Sequence, residues 1–284
     1  MFKKLGSIIK WIGEHFKGML FLLIVFVLLV PKSSTPLETA NLQEIKLFGP
    51  IMSAESILKE IEKASNESNI KGVLLNVNSP GGSVPPSIEI SYAIRELQKK
   101  KPVIAYASGV MASGSYYSAI YAKKIIANPG AIVGSIGVIM ESANIEKLMH
   151  TVGVETQIVK EGTYKEAGTF TRKWSDAERT ELETLTKDTY ELFVKDVATA
   201  RGLDINNSKA YADAHIFSAK RAKKEGLIDE IGIMSDAKDA LMKEANVSKP
   251  VWKKKDKFDS IMEKFEGKVI LKLQNYLYGL KASL

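Results

Sequence analysis

Ser113 is the side chain whose setting is best suited to chemistry. It lies in GVMASGSYY, residues 109–117, after the apolar run Val103–Ala107, at what reads as a sharp exit from a buried strand into a helix. Ala112 and Gly114 leave little bulk around its hydroxyl, and backbone N–H groups at a helix start are free to face an anion. An acyl-transfer nucleophile needs that setting. A helix cap with small residues for close packing on a sheet would use the same residues. A second element is NSPGGS at 78–83, where Gly81 and Gly82 let the backbone approach a bound group and aim donors at it. Ser-Pro-Gly-Gly also makes a plain turn. Acting together, the N–H groups of Gly82 and Gly114 would form an oxyanion hole, each donor worth about 3 kcal/mol.

A serine nucleophile needs a base, and histidine is the usual one. His15, His150 and His215 are scattered through the chain and read as structural. Lys165 stands apart from the surface lysines because it occupies a glycine-rich connection, EGTYKEAGT, between Gly162 and Gly168 and after a strand-like stretch, Thr156–Val159. A lysine works as a base only when uncharged, and its ordinary value is near 10.4. That role therefore predicts an apolar, desolvating pocket around the amine, with the carboxylate of Glu166 turned elsewhere.

The elements that must position these groups alternate. Gln43–Phe48 reads as a strand and Ser53–Ala64 as an amphipathic helix capped by Ser53. Gly72–Val77 is a run buried on both faces, followed by a helix over Pro86–Lys99. Val103–Ala107, the Ser113 helix and Lys124–Ala127 repeat the pattern. The fold class is thus α/β with a parallel sheet flanked by helices and right-handed crossovers. In such sheets ligands bind beyond the carboxyl ends of the strands, where both the Gly81-Gly82 pair and Ser113 fall. Ser175–Ala200 opens with a capping box, Ser175 with Glu178, and repeats Leu182, Leu185, Tyr190, Phe193 and Val197 at helical spacing, for the core or for a subunit interface. Phe217–Gly232 reads as a short strand, a basic helix and the close of the domain.

Charge narrows the partners. The net +7 over 284 residues resides at the ends: five Lys against one Glu in residues 1–32, and eight Lys against four acids in 253–284, leaving the body at −1. No nucleic-acid partner is expected, because a phosphate-tracking surface would place its cations on the folded body. Basic ends suit an anionic membrane surface. With no cysteine and no clustered histidines, neither a metal site nor a cofactor is expected. Met19–Val30, MLFLLIVFVLLV, follows four lysines and reads either as the core of a cleaved signal peptide or, favoured because PKSSTPLETA has no clear small-x-small site near the run, as an anchor that extends back through residues 8–16, with the N-terminus in the cytoplasm. The expected divisions are a basic tip and transmembrane anchor at 1–32, a linker at 33–42, the main domain at 43–245 and a basic amphipathic tail at 246–284.

Five stretches in order, NSPGGS (78–83), GVMASGSYY (109–117), GSIGVIMES (134–142), EGTYKEAGTFTR (161–172) and SAKRAKKEGLIDEIG (218–232), resemble the signal peptide peptidase A (SppA) family in its short, membrane-anchored bacterial form. That family belongs to the clan sharing the ClpP and crotonase fold. The resemblance implies a serine endopeptidase with a Ser/Lys dyad: Ser113 as nucleophile, Lys165 as base 52 positions later, Gly82 and Gly114 as oxyanion hole, and Ser135 orienting the lysine. It further implies a homo-oligomeric ring, peptide substrates such as remnant signal peptides, and a catalytic domain outside the cytoplasmic membrane. Ser115 and Ser83 stand where glycine is more usual in the family. Two other functions fit the fold: a crotonase-type acyl-CoA enzyme, which would need an acid/base carboxylate and a basic CoA patch, and a catalytically inactive tethered scaffold.

Overall fold

Alternating apolar runs and helices fold as a sheet with both faces covered, as the pattern requires. The structure is a computed structural model that describes residues 39–254 together with residues 11, 15–22 and 25. The chain divides into two units at residue 39, and in the first the described residues 11, 15–22 and 25 are helical. Among the described residues no helix is long and apolar enough to cross a membrane. The expected anchor Met19–Val30 lies largely outside them, and the apolar end of the tail, Val269–Leu280, lies wholly outside.

The second unit runs β1 (Leu42–Phe48), α1 (Glu55–Asn66), β2 (Gly72–Ser79), α2 (Val84–Lys100), β3 (Val103–Ala112), α3 (Gly114–Ala119), β4 (Lys124–Ala127), β5 (Ile132–Gly134), α4 (Glu146–Thr151), α5 (Asp176–Arg201), α6 (Ser208–Tyr211), β6 (Ile216–Ser218), α7 (Ala219–Lys224), β7 (Glu230–Ile231) and α8 (Met234–Glu244). Strands β1-β2-β3-β4-β7 are parallel neighbours in that order. Short β5 pairs with the upper end of β3, and β6 pairs antiparallel with β5. The α/β class with a mainly parallel sheet is as expected.

Strand alternation sorts the side chains into two layers. Ile45, Val73, Leu75, Val77, Val103, Ala105 and Ala107 belong to the large core shared with Ile57, Ile61, Ile90, Ile94 and Phe193 of the helices. Leu42, Leu74, Ile104, Tyr106 and Ile126 form a smaller core under Ala237 and Leu241 of α8.

Strand β3 continues to Ala112, past the end at Ala107 that the sequence suggests. A step of two positions on β2, from Val77 to Ser79, is matched by a step of four on β3, from Ala107 to Met111. The interruption Ser108-Gly109 is absorbed as a bulge. Asn78 Oδ1 accepts the Val110 N–H at 3.0 Å, and a Cβ on Gly109 would sit 2.5 Å from that same oxygen. Thr156–Val159 forms no strand; the residues are exposed and lie beside no partner strand. The packed unit also reaches beyond Ala245: the Val251 carbonyl accepts from Asn41 and Leu42, and Trp252 bridges to Leu42.

Candidate active site

Ser113 occupies the corner between β3 and α3 with φ 54° and ψ −128°. A side chain there is strained by about 1–3 kcal/mol, a conformation kept only where the surroundings impose it. Those surroundings are visible. The Ser113 N–H donates to the Gly134 carbonyl of β5 at 2.8 Å, and its carbonyl accepts from Tyr117 N–H at 3.0 Å. Ser115, fully buried, ties the corner to the end of β2: its hydroxyl accepts from Ala112 N–H at 2.9 Å and lies 2.6 Å from the Ser79 carbonyl. Its value is therefore in holding the corner, which a glycine at that position would not do. Ser115→Ala is expected to cost about 1–3 kcal/mol of stability by orphaning the Ala112 N–H. Urea titration of the variant measures this.

The glycine pair meets this corner. A Cβ on Gly81 would lie 2.7 Å from Gly114 N and 2.9 Å from Ser113 Cβ, and one on Gly114 would lie 3.4 Å from Gly82 N. Ile51 makes a parallel bridge across Gly82, its N–H donating to the Gly81 carbonyl and its carbonyl accepting from Ser83 N–H, both at 2.8 Å. Strand alternation then turns the Gly82 N–H to the opposite side. Neither it nor the Gly114 N–H is taken up by a carbonyl among the described residues. Two free amide donors beside a strained serine are arranged to receive an oxyanion.

Ser135, at φ 51°, directly follows the Gly134 whose carbonyl holds Ser113, and its N–H donates to the His215 carbonyl at 2.7 Å. Lys165 is not brought to the corner by a hydrogen bond: among the described residues no bond joins it to Ser113 or Ser135, and its side chain is exposed rather than desolvated. No histidine bonds Ser113 either. His15 bonds the Trp11 carbonyl, His150 is exposed at the end of α4, and exposed His215 lies against Phe217. Among the described residues no group of carboxylates and histidines could hold a metal ion.

Lys165 belongs to an arm. Between Ile136 and Glu178 no residue is buried, and Ile139, Leu148, Val152, Val159 and Phe170 stand out in solvent. One charged network roots it. Arg172 donates to both oxygens of Glu178, at 2.8 and 2.9 Å, and to Glu166, which also pairs with Lys160. Glu178 closes the capping box with Ser175 at the start of α5. The Glu166 carboxylate is thus engaged away from Lys165, as the lysine-base reading expects. Hydrogen bonds from Arg172, and then from Ser175, hold the Glu178 carboxyl at about 2. Its folded value is depressed, so its stabilisation is present above the unfolded value of about 4.3 and is lost as pH falls towards 2. Hydrogen exchange over 166–178, corrected for intrinsic rate, is expected to stay slow at pH 5 and quicken across that acid window. Arg172→Leu should move the onset upward.

From the corner a notch of about 20 Å³ opens between Gly82, Ser113, Tyr117 and Phe193. Beyond Gly137 and Val138 it gives onto a groove of about 520 Å³ walled by Ile139, Met140, Trp174, Leu182 and Tyr190. The first half of α5 is that wall, with Leu185 half-exposed. Only its second half, from Phe193, enters the core. Asn78, Arg172 and Tyr117 take roles here that motif reading does not assign, although all three lie inside the five stretches that carry the resemblance, and Ser115, which stands where glycine is more usual, serves to hold the corner.

Comparison with known proteins bears on this arrangement. The profile of peptidase family S49 matches residues 95–248. A protein of Methanocaldococcus jannaschii provisionally named a protease is 42% identical over 69% of this chain and 62% of its own length. One of Synechocystis sp., also provisionally named a protease, is 36% identical over 73% of this chain and 74% of its own. One of Enterococcus faecium, provisionally named a signal peptide peptidase SppA, is 34% identical over 68% of this chain and 57% of its own. The match thus spans less than two thirds of the first and third of these relatives.

Proposed function

The chain belongs to peptidase family S49, with homologues named SppA and protease 4, and from that premise we propose that it is a serine endopeptidase with a Ser113/Lys165 dyad. Ser113 Oγ adds to a peptide carbonyl while its proton passes to the neutral Lys165 amine. The oxyanion is received by the Gly82 and Gly114 N–H groups. The lysine then protonates the leaving amine, and the same base activates the water that hydrolyses the acyl-enzyme. Extended apolar peptides, remnant signal peptides among them, fit a groove lined by Ile139, Met140 and Leu182. One observation carries this reading: the strained Ser113 corner beside two unengaged amides. A fluorophosphonate probe is expected to label Ser113, and labelling should vanish in Ser113→Ala. Absence of label on the native chain would sink the proposal.

The exposed apolar arm supports self-association, because a surface of this kind is normally covered by a partner. In this reading copies assemble as a homo-oligomer and Lys165 reaches the Ser113 of a neighbour, which supplies the desolvation that a single chain lacks. Co-assembling Ser113→Ala with Lys165→Ala is expected to restore activity that neither variant has alone; no restoration would place the dyad within one chain. The lysine-flanked apolar run Met19–Val30 supports a membrane anchor with the domain on the extracytoplasmic side of a bacterial cytoplasmic membrane. Retention of the full chain in the membrane fraction after an alkaline carbonate wash tests this.

A further inference from the structure

We propose that the chain selects an alanine-sized side chain on the residue whose carbonyl is attacked, and that a stacked Tyr117–Phe193 pair tethered by Asp196 sets this limit. The inference rests on the serine-peptidase reading. An acyl group with its oxygen between Gly82 and Gly114 and its carbon at Ser113 directs its α-substituent into the adjoining notch. At about 20 Å³ the notch holds roughly one water, or one methyl group.

Its floor is rigid. The rings of Tyr117 and Phe193 stack with centroids 4.4 Å apart and planes 7° apart, and they are 2% and 3% exposed. Tyr117 cannot swing aside without losing the 2.6 Å bond from its hydroxyl to Asp196 Oδ2. That carboxylate is held in turn by Tyr92 O–H at 3.1 Å, and Arg95 lies over the Tyr92 ring at 4.3 Å. A larger substituent would therefore have to displace a ring fastened to three helices. Asp196 and Tyr92 touch no reacting atom and act as positioning residues through Tyr117.

The test uses peptidyl α-aminoalkyl diphenyl phosphonates bearing a methyl, isobutyl or benzyl group on the carbon next to phosphorus. The Ser113 oxygen bonds to phosphorus and displaces one phenoxide, which leaves as phenol with the serine proton. The rate of labelling of the full chain is read by intact mass. Methyl is expected to react at least about tenfold faster than isobutyl, since one methylene changes selectivity by roughly 10–200-fold. Phe193→Ala should raise the isobutyl-to-methyl ratio at least about tenfold. Tyr117→Phe, which keeps the ring and removes only its tether, should raise it in the same direction by less, and this remains readable if Phe193→Ala does not fold. A purely structural role would slow all three probes equally and overturn the inference. Faster labelling by isobutyl or benzyl in the native chain would overturn it too, leaving the peptidase reading intact. No labelling by any probe would overturn both.

Discussion

Ser113→Ala is expected to lower peptide hydrolysis by at least about 10⁴-fold in kcat/KM, because removing the nucleophile leaves only binding and the oxyanion donors. The fold should survive. The Ser113 hydroxyl makes no hydrogen bond among the described residues, and the contacts that impose the corner come from its backbone and from Ser115. A companion variant separates function from architecture. At φ 54° a glycine relieves the strain that serine or alanine bears, so Ser113→Gly should be as inactive as Ser113→Ala yet about 1 kcal/mol more stable. Lys165→Arg should be as inactive as Lys165→Ala, since a guanidinium cannot give up its proton. Initial rates on a fluorogenic peptide, with thermal melts of the same samples, measure all four. Substantial turnover by Ser113→Ala would assign the chemistry elsewhere.

The second large effect is expected at Gly82. A Cβ there would lie 2.2 Å from the Ile51 carbonyl oxygen and 2.6 Å from its nitrogen, so the bridge that aims the Gly82 N–H must open. Both atoms belong to backbone and cannot rotate away. Losing one oxyanion donor costs about 10²–10³-fold in kcat, and Gly82→Ala should lose at least that much. The signature is a fall in kcat with little rise in KM, measured on an activated ester and a peptide alike. A kcat close to the native value would remove Gly82 from the oxyanion hole. Gly114→Ala offers a milder comparison, since its Cβ meets the Ser87 hydroxyl at 2.3 Å, and that side chain can turn.

Where sequence reading succeeded, the signal was local. The runs at Gly72–Ser79 and Val103–Ala107 are apolar at consecutive positions and punctuated by Gly, Pro and Ser, so strand and helix alternate without reference to anything distant. The capping box of Ser175 and Glu178 spans three residues and formed as read. Where it failed, a distant partner was missing from view. Strand β3 survives its Ser-Gly interruption because Asn78, on another strand, takes the Val110 N–H. Thr156–Val159 has strand-like residues but no neighbouring strand to bond, and a strand without a ladder is not stable.

The sequence alone determined that a small-flanked serine stands between a buried strand and a helix, that a glycine pair ends the preceding strand, and that one lysine sits in a glycine-rich connection. Only the tertiary structure decided that the Gly82 and Gly114 amides lie side by side, and that Ser115 and Gly134 impose the corner. It likewise decided that Asp196, from the far end of a long helix, fastens the floor beneath Ser113, and that Lys165 stands exposed on an arm. The physical reason is range. Turns, caps and strand runs are set by neighbours within a few residues, whereas a site's dimensions depend on backbone segments joined only when a twisted sheet and its helices close on one another.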